Sequence, residues 1–189
     1  NADLSSANMS RCTLTRSNLS RSTLRWADLA GADLSSADLS FANLEGANLS
    51  NADLSFANLT GASLNSAILR GSTLSSTCLM QADLSDADLR GATLNNVDIE
   101  SATFIKAVFG MSTFVNCDLR MAIALEFARH AGPSTFGLDT LAKSGGRIPR
   151  KFLVDAAVAA PLIDAQDKIS DVDRKFPTVL TIGSMGDGE

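Results

Sequence analysis

Bulky apolar residues recur at every fifth position from Leu4 to Leu119 without a slip of phase: Leu4, Met9, Leu14, Leu19 and Leu24, then leucine to Leu94, then Ile99, Phe104, Phe109, Phe114 and Leu119. Two residues before each stands a small one, from Ala2, Ala7, Cys12 and Ser17 to Ala107, Ser112 and Cys117. Between them lies a short polar residue in most units, as at Asp3, Asn8, Thr13 and Asn18. A period of five matches neither the 3.6 of a helix nor the 2.0 of a flat strand. An internal repeat this strict decides the architecture ahead of local propensity. It also leaves function hard to read, because a scaffold does not name its ligand.

Units such as AlaAspLeuSerSer at 32–36 and AlaAsnLeuGluGly at 42–46 carry the A(D/N)LXX pattern, and the first two thirds of the chain resemble the pentapeptide-repeat family. The resemblance implies an all-β solenoid: a right-handed quadrilateral β-helix with four pentapeptides per coil, about six coils over residues 1–119. At a strand spacing of about 4.8 Å the rod is roughly 25–30 Å long. In a square coil the central Leu and the small residue before it both point inward, since only a small side chain fits beside the axial Leu without overpacking. The outward polar residue bonds to nearby backbone and favours the turn at each corner. Gly31, Gly46, Gly61, Gly71 and Gly91 share one register position, at the corner.

The last coil exchanges Leu for Phe104, Phe109 and Phe114, which extends the core toward whatever covers it. Residues 120–131 read as a capping helix, with Met121, Ala124, Leu125 and Ala128 in one apolar stripe widened by Ile123 and Phe127, stopped at Gly132-Pro133. His130 then sits as a cation near the helix C-terminus. Residues 132–175 read as a helical connector and assembly module, its helices opened by Ser134, Pro149 and Pro161. The expected cap and oligomer interface comprises Phe104, Phe109, Phe114, Met121, Ile123, Leu125, Phe127, Phe152 and Leu153. Residues 132–158 resemble a connector that joins bacterial pentapeptide repeats to a Toll/interleukin-1-receptor (TIR)-type signalling domain. Residues 176–189 then begin a further α/β, TIR-like domain with an apolar strand at 176–184. The start in mid-phase at Asn1 and the abrupt end read as a fragment of a longer polypeptide.

Charge and chemistry narrow the function. Net charge is −5, and up to Arg120 twelve acids face eight bases. Some members of the resembled family mimic B-form DNA and inhibit DNA gyrase, a role that wants an acidic track to replace one phosphate charge per ~1.7 Å. Arginines interrupt any such track here, so DNA mimicry stands as the alternative. The three cysteines fit a reducing, cytoplasmic compartment. Cys12 and Cys117 lie too many coils apart to pair and fill the small inward position, which leaves Cys78, at an outward position, as the one thiol open to reaction and otherwise a tolerated surface residue. No run is apolar enough for a membrane span. The only histidine lies outside the repeats, and no Cys/His spacing suits a metal. No catalytic residue, cofactor or metal is expected.

Exposed candidates remain. Trp26, Phe41 and Phe56 occupy one corner position and form a candidate partner surface, although a ring there can also lie across a glycine corner above it. Arg70 lies below Arg90, a like-charge contact that needs an anion or a carboxylate. Arg25 lies below Glu45. Arg11, Arg16, Arg21 and Arg25 crowd the N-terminal end, where the charge either discourages end-to-end stacking or offers a site for an anion or acidic partner. The resulting expectation is a non-catalytic scaffold that assembles with itself through residues 120–175 and holds an effector, with no direct nucleic-acid or membrane partner.

Overall fold

The computed structural model describes residues 2–175. Residues 2–120 wind into six coils of four five-residue sides, and the outward residue of a side bridges in parallel to the one twenty later, as at Asp3↔Thr23, Asp28↔Asn48 and Asp53↔Thr73. The ladder is regular because each side offers two donors upward, at its centre and its corner, and one downward. The Leu24 N–H donates to Asn43 O (2.7 Å), and the Asn43 N–H donates back to Ser22 O (2.9 Å). On the third side the pairing lengthens into true strands: β1 (Thr73–Ser75), β2 (Thr93–Asn95) and β4 (Thr113–Val115), with β3 (Val108–Phe109) on the second side. From Leu24 to Leu119 every central residue is buried. Burying one such side chain stabilises by about 1.5–3 kcal/mol.

Polar groups inside and at the edge of the coil are satisfied locally. Where Ser or Thr takes the small inward position its hydroxyl donates to a backbone carbonyl: Ser72 to Leu69 O (2.8 Å), Thr77 to Leu54 O (2.8 Å), Ser112 to Leu89 O (2.9 Å). The outward Asp or Asn accepts the N–H two residues on, as Asp33 does from Ser35 (3.0 Å) and Asn48 from Ser50 (3.2 Å). The Ser5 and Ser35 hydroxyls, and after them the same residues' N–H groups, hold the Asp3 and Asp33 carboxyls below the usual carboxylate range. The residue after each side takes a positive φ near 57°, at Ser6, Arg11, Arg16, Trp26, Phe41 and onward. A left-handed non-glycine costs about 1–2 kcal/mol. Here each such corner also donates its N–H to the coil above, as Ser6 does to Arg25 O (2.8 Å).

The chain beyond Leu119 departs from expectation. No capping helix forms over 120–131. The chain instead begins a seventh, wider turn: Ile123 pairs with Thr103, β5 (Arg129–His130) with β3, and β6 (Thr135–Phe136) with β4. Partners are 20 residues apart at Thr103↔Ile123, 21 at Val108↔Arg129 and 22 at Thr113↔Thr135. The open upper edge of coil six supplies backbone partners that an isolated amphipathic segment lacks, and a short helix is marginal on its own. Only a single 3-10 turn, Leu125–Phe127, survives from the helical pattern.

Three helices follow: α1 (Leu138–Lys143), α2 (Arg150–Asp155) and α3 (Ala160–Lys175). Gly137, not Ser134, stands at the start of α1, because Thr135 and Phe136 are spent in β6. Helix α1 closes the fourth side with side-chain hydroxyls in place of a strand. Thr140 Oγ1 accepts the Cys117 N–H (3.2 Å), and Ser144 Oγ accepts the Leu119 N–H (3.1 Å). Helix α2 lays Phe152 over the axis, its ring centroid 5.5 Å from Phe109, 5.9 Å from Phe114 and 4.6 Å from His130, while Phe136 stacks on Phe114 at 4.7 Å. The strand expected at 176–184 lies outside the described residues.

Among the described residues nothing packs beneath the first coil. Leu4, Met9, Leu14 and Leu19 are only partly buried, and Cys12, expected in the core, is exposed. Cys117 is buried, which pushes its thiol pKa up, and Cys78 is half-buried with Sγ 3.2 Å from Thr60 Oγ1. The most accessible thiol is therefore Cys12, because the core position of an end coil is core on one side only.

Leu54, fully buried at mid-rod, tests the axial assignment. Leu54→Asp places an unpartnered carboxylate on the axis and should cost at least ~4 kcal/mol, with loss of the cooperative melt or aggregation. A wild-type melting temperature by circular dichroism would refute the assignment.

Candidate interaction surfaces

Corner side chains climb onto the corner twenty residues later, and the glycines stand where the climber is bulky. The Trp26 ring lies across Gly46, where an added Cβ would be 2.1 Å from the ring, and Phe41 lies across Gly61, where the distance is 2.6 Å. The Arg11 stem lies against Gly31, and the Asn51 carboxamide lies over Gly71. The three aromatics nevertheless stay exposed, 58% for Trp26, 53% for Phe41 and 67% for Phe56, whose upper neighbour is Ser76 instead of glycine. They sit on three different corners, rising fifteen residues at a time, so no flat face holds all three. Arg21 stacks on Phe41 from below, its guanidinium 5.2 Å from the ring centroid.

The arginine pair is resolved by an acid. Asp88 lies between Arg70 and Arg90, taking Arg70 Nε at 2.6 Å and Arg90 Nη2 at 2.7 Å on Oδ2, and Arg90 Nε at 2.9 Å on Oδ1. One carboxylate for two guanidiniums leaves a residual positive charge on the second side, which Arg129 in β5 extends upward. Arg25 meets Glu45 at 2.9 Å, an exposed pair worth about 0–1 kcal/mol. Arg120 pairs with Asp118 at 2.6 Å, and that hydrogen bond first of all holds the Asp118 carboxyl below its ordinary range.

The residues expected to form one cap and interface divide into two sets. Phe104, Phe109, Phe114, Leu125, Phe152 and Leu153 are buried within the chain, so they are not available to a partner. Met121, Ile123 and Phe127 are exposed, joined by Ile105, Met111, Leu138 and Val154. The left-handed Ala124 and the 3-10 turn at Leu125–Phe127 break the strand alternation there, so that Leu125 is buried while Ile123 and Phe127 stay outside. Thr140 and Ser144, which hold α1 to the rod, escaped sequence reading because hydroxyls in a helix carry no positional signature. Met111 escaped it too; it occupies a corner on the second column with φ 53°.

His130 is not a helix-terminal cation. It lies in β5 between the rings of Phe109 and Phe152, its Nε2 has no hydrogen-bond partner, and Nδ1 lies 3.4 Å from Ser134 Oγ. Burial lowers its pKa from 6.5 to about 4, with Asp155 opposing and Lys151 adding to the effect. Among the described residues, no group of three or more His, Cys, Asp and Glu side chains is placed to hold a metal ion, and no helix is long and apolar enough to cross a membrane.

A family model described as pentapeptide repeats matches in eight copies over residues 1–35, 37–75, 47–86 and 82–120. Among solved structures the chain is similar to a pentapeptide repeat protein (Rfr23) from the cyanobacterium Cyanothece 51142, with 34% identity and a TM-score of 0.48 over 49% of this chain and 63% of that one. It is similar to HetL, a pentapeptide repeat protein involved in heterocyst differentiation regulation from Nostoc sp. strain PCC 7120, with 34% identity and a TM-score of 0.30 over 61% of this chain and 60% of that one. A trypsin-treated form of QnrB1, a plasmid-mediated fluoroquinolone resistance protein, matches at 21% identity and a TM-score of 0.40 over 68% of this chain and 77% of that one. The chain thus spans less than two thirds of the length of the first two. No curated protein matches it.

Gly46→Ala should displace the Trp26 ring and cost about 1–3 kcal/mol, whereas Gly91→Ala, which meets only the Gly71 backbone at 3.7 Å, should cost less. Trp26 is the single tryptophan, so its emission reports the displacement directly. An unshifted spectrum in Gly46→Ala would contradict the ring contact. The depressed His130 pKa carries a second consequence. The unfolded chain binds a proton below about 6.5 that the folded chain refuses until about 4, so this group's share of stability is present above pH 6.5 and declines as pH falls toward 4. His130→Phe should flatten the denaturation midpoint against pH in that window. An unchanged slope would remove the buried neutral imidazole from the account.

Proposed function

The chain belongs to the pentapeptide-repeat family, whose members adopt a right-handed β-helix and generally serve as non-catalytic scaffolds, and on that premise we propose that it is a self-assembling scaffold. It joins copies of itself through its C-terminal end, residues 120–175, and holds a C-terminal signalling effector. The observation that supports this reading is the distribution of exposed apolar side chains. Trp26, Phe41, Phe56 and Ile68 stand on separate units along the rod, whereas Met111, Met121, Ile123, Phe127, Leu138 and Val154 all fall toward the closed end, with Phe127 61% and Leu138 69% exposed. A concentration of exposed apolar side chains at one end of a rod fits an association site. Closed two-fold pairing is the commonest outcome for soluble homo-oligomers.

The connector resemblance of 132–158 gives the assembly a purpose, since pairing at this end would bring two effectors together. That segment docks on the rod through β6, α1 and α2, so it would transmit the geometry of the pair instead of hanging from it. The alternative, a DNA-mimicking inhibitor of gyrase, stands second. Its continuous acidic track is interrupted where Arg25, Arg70, Arg90 and Arg120 neutralise Glu45, Asp88 and Asp118.

Sedimentation of the intact chain at tens of micromolar should give a dimer or larger species, and Phe127→Asp or Leu138→Asp should shift it toward monomer. A monomeric wild-type chain would sink the proposal. So would an oligomer that dissociated on changing Arg16 and Arg21, at the opposite end, instead of Phe127.

A further inference from the structure

One rung of the ladder is missing. On the fourth side, coil four joins coil five normally: the Leu79 N–H donates to Asp98 O (2.7 Å) and the Asp98 N–H to Thr77 O (3.1 Å). One coil higher, the equivalent bonds from Ile99 N–H to Asp118 O and from Asp118 N–H to Val97 O do not form, and Asp98 has no bridge partner above it. The break is local. Asn96 N–H still reaches Val115 O and Ser101 N–H reaches Met121 O, both at 2.9 Å.

Two forces part the strands. The small inward position on this side holds Thr77, Val97 and Cys117 in succession, while the second side holds alanine from Ala27 to Ala107. From above, the Cys117 and Leu119 N–H groups are drawn to Thr140 and Ser144 of α1. Between the strands opens a cavity of about 320 Å³ lined by residues 96–100, Asp118, Met121 and Lys143. Two N–H groups (Ile99 and Asp118) and two carbonyls (Val97 and Asp118) thus face it without a backbone partner.

We propose that this split rung is a binding site for a primary carboxamide. Both flanking rungs are closed, so a polypeptide strand cannot thread the gap, and the occupant must enter as a small planar end group. A carboxamide oxygen accepts two hydrogen bonds and its NH2 donates two, which is the complement of two N–H groups and two carbonyls. A carboxylate only accepts and would leave the carbonyls bare; an ammonium or guanidinium only donates and would leave the N–H groups bare. Of the charged residues that line the cavity, Asp98 and Glu100 carry no ion pair among the described residues, Asp118 is paired with Arg120, and Lys143 is the one cation, so the lining disfavours a carboxylate. The group can be the side chain of a partner's glutamine or a free small amide.

The test is a titration of the full chain followed by 15N–1H NMR at the Ile99 and Asp118 amides. The probes are N-acetylglutamine methylamide, free glutamine and the glutamate counterpart of each. Saturable shifts confined to the fourth side, with the glutamate compounds about tenfold weaker or more, are expected. Tighter binding of the capped compound assigns the site to a protein side chain, and tighter binding of free glutamine to a small molecule. Val97→Ala and Cys117→Ala restore the residue found elsewhere at this position. They should close the rung, slow hydrogen exchange at Ile99 and abolish saturation. Linear, non-saturating shifts would mean that water alone fills the gap, and equal binding of glutamate would mean that the gap does not select a carboxamide; either would overturn the proposal.

Discussion

A coil can hydrogen-bond to the next only if residues twenty apart lie one above the other, so the chain must return to the same corner after four sides. Everything else in the rod follows from that return. Five residues per side leave two inward positions, one for the axial Leu and one too cramped for anything but a small side chain. The turn at each corner requires a left-handed residue, and the vertical N–H bond at the corner compensates for its strain. The outward Asp or Asn then finds a local N–H instead of competing with the ladder.

This constraint also explains what was legible. Inward and outward positions, the corner register, the Arg25–Glu45 contact and the ring of Phe41 across Gly61 all follow from counting in fives and twenties. What counting could not reach lies where the count changes. Residues 121–128 carry an amphipathic pattern, yet an open sheet edge beside them offered more hydrogen bonds than an isolated helix could make. The price of that pairing is a turn widened by two residues, which no fixed period anticipates. His130 was misread for the same reason: taken off a helix end and put in a strand, it lies among phenylalanines.

The candidate surfaces were legible as residue types and not as arrangements. Trp26, Phe41 and Phe56 share a register position, but a rise of fifteen residues turns each onto a new corner. Arg70 and Arg90 stack as counted, and the carboxylate between them comes from the neighbouring residue of the upper coil. The broken rung depends on volumes accumulated over three coils, Thr77, Val97 and Cys117, together with two hydroxyls from a helix more than twenty residues downstream. Each residue is unremarkable by itself.

The climbing corners bear on how such a rod can change over evolutionary time. The twenty-residue register allows such a rod to lengthen only by whole coils, and a coil whose outside were independent of its neighbours could be copied anywhere. Trp26 and Gly46 are not independent, nor are Phe41 and Gly61. A duplicate of the coil carrying Gly46, placed elsewhere in the stack, would present a bare corner with no ring to cover it. A duplicate of the coil carrying Trp26, set beneath a bulkier corner, would have its ring forced outward. The exterior therefore keeps a record of stacking order that the uniform leucine interior erases, and insertions are expected where corners are small on both sides.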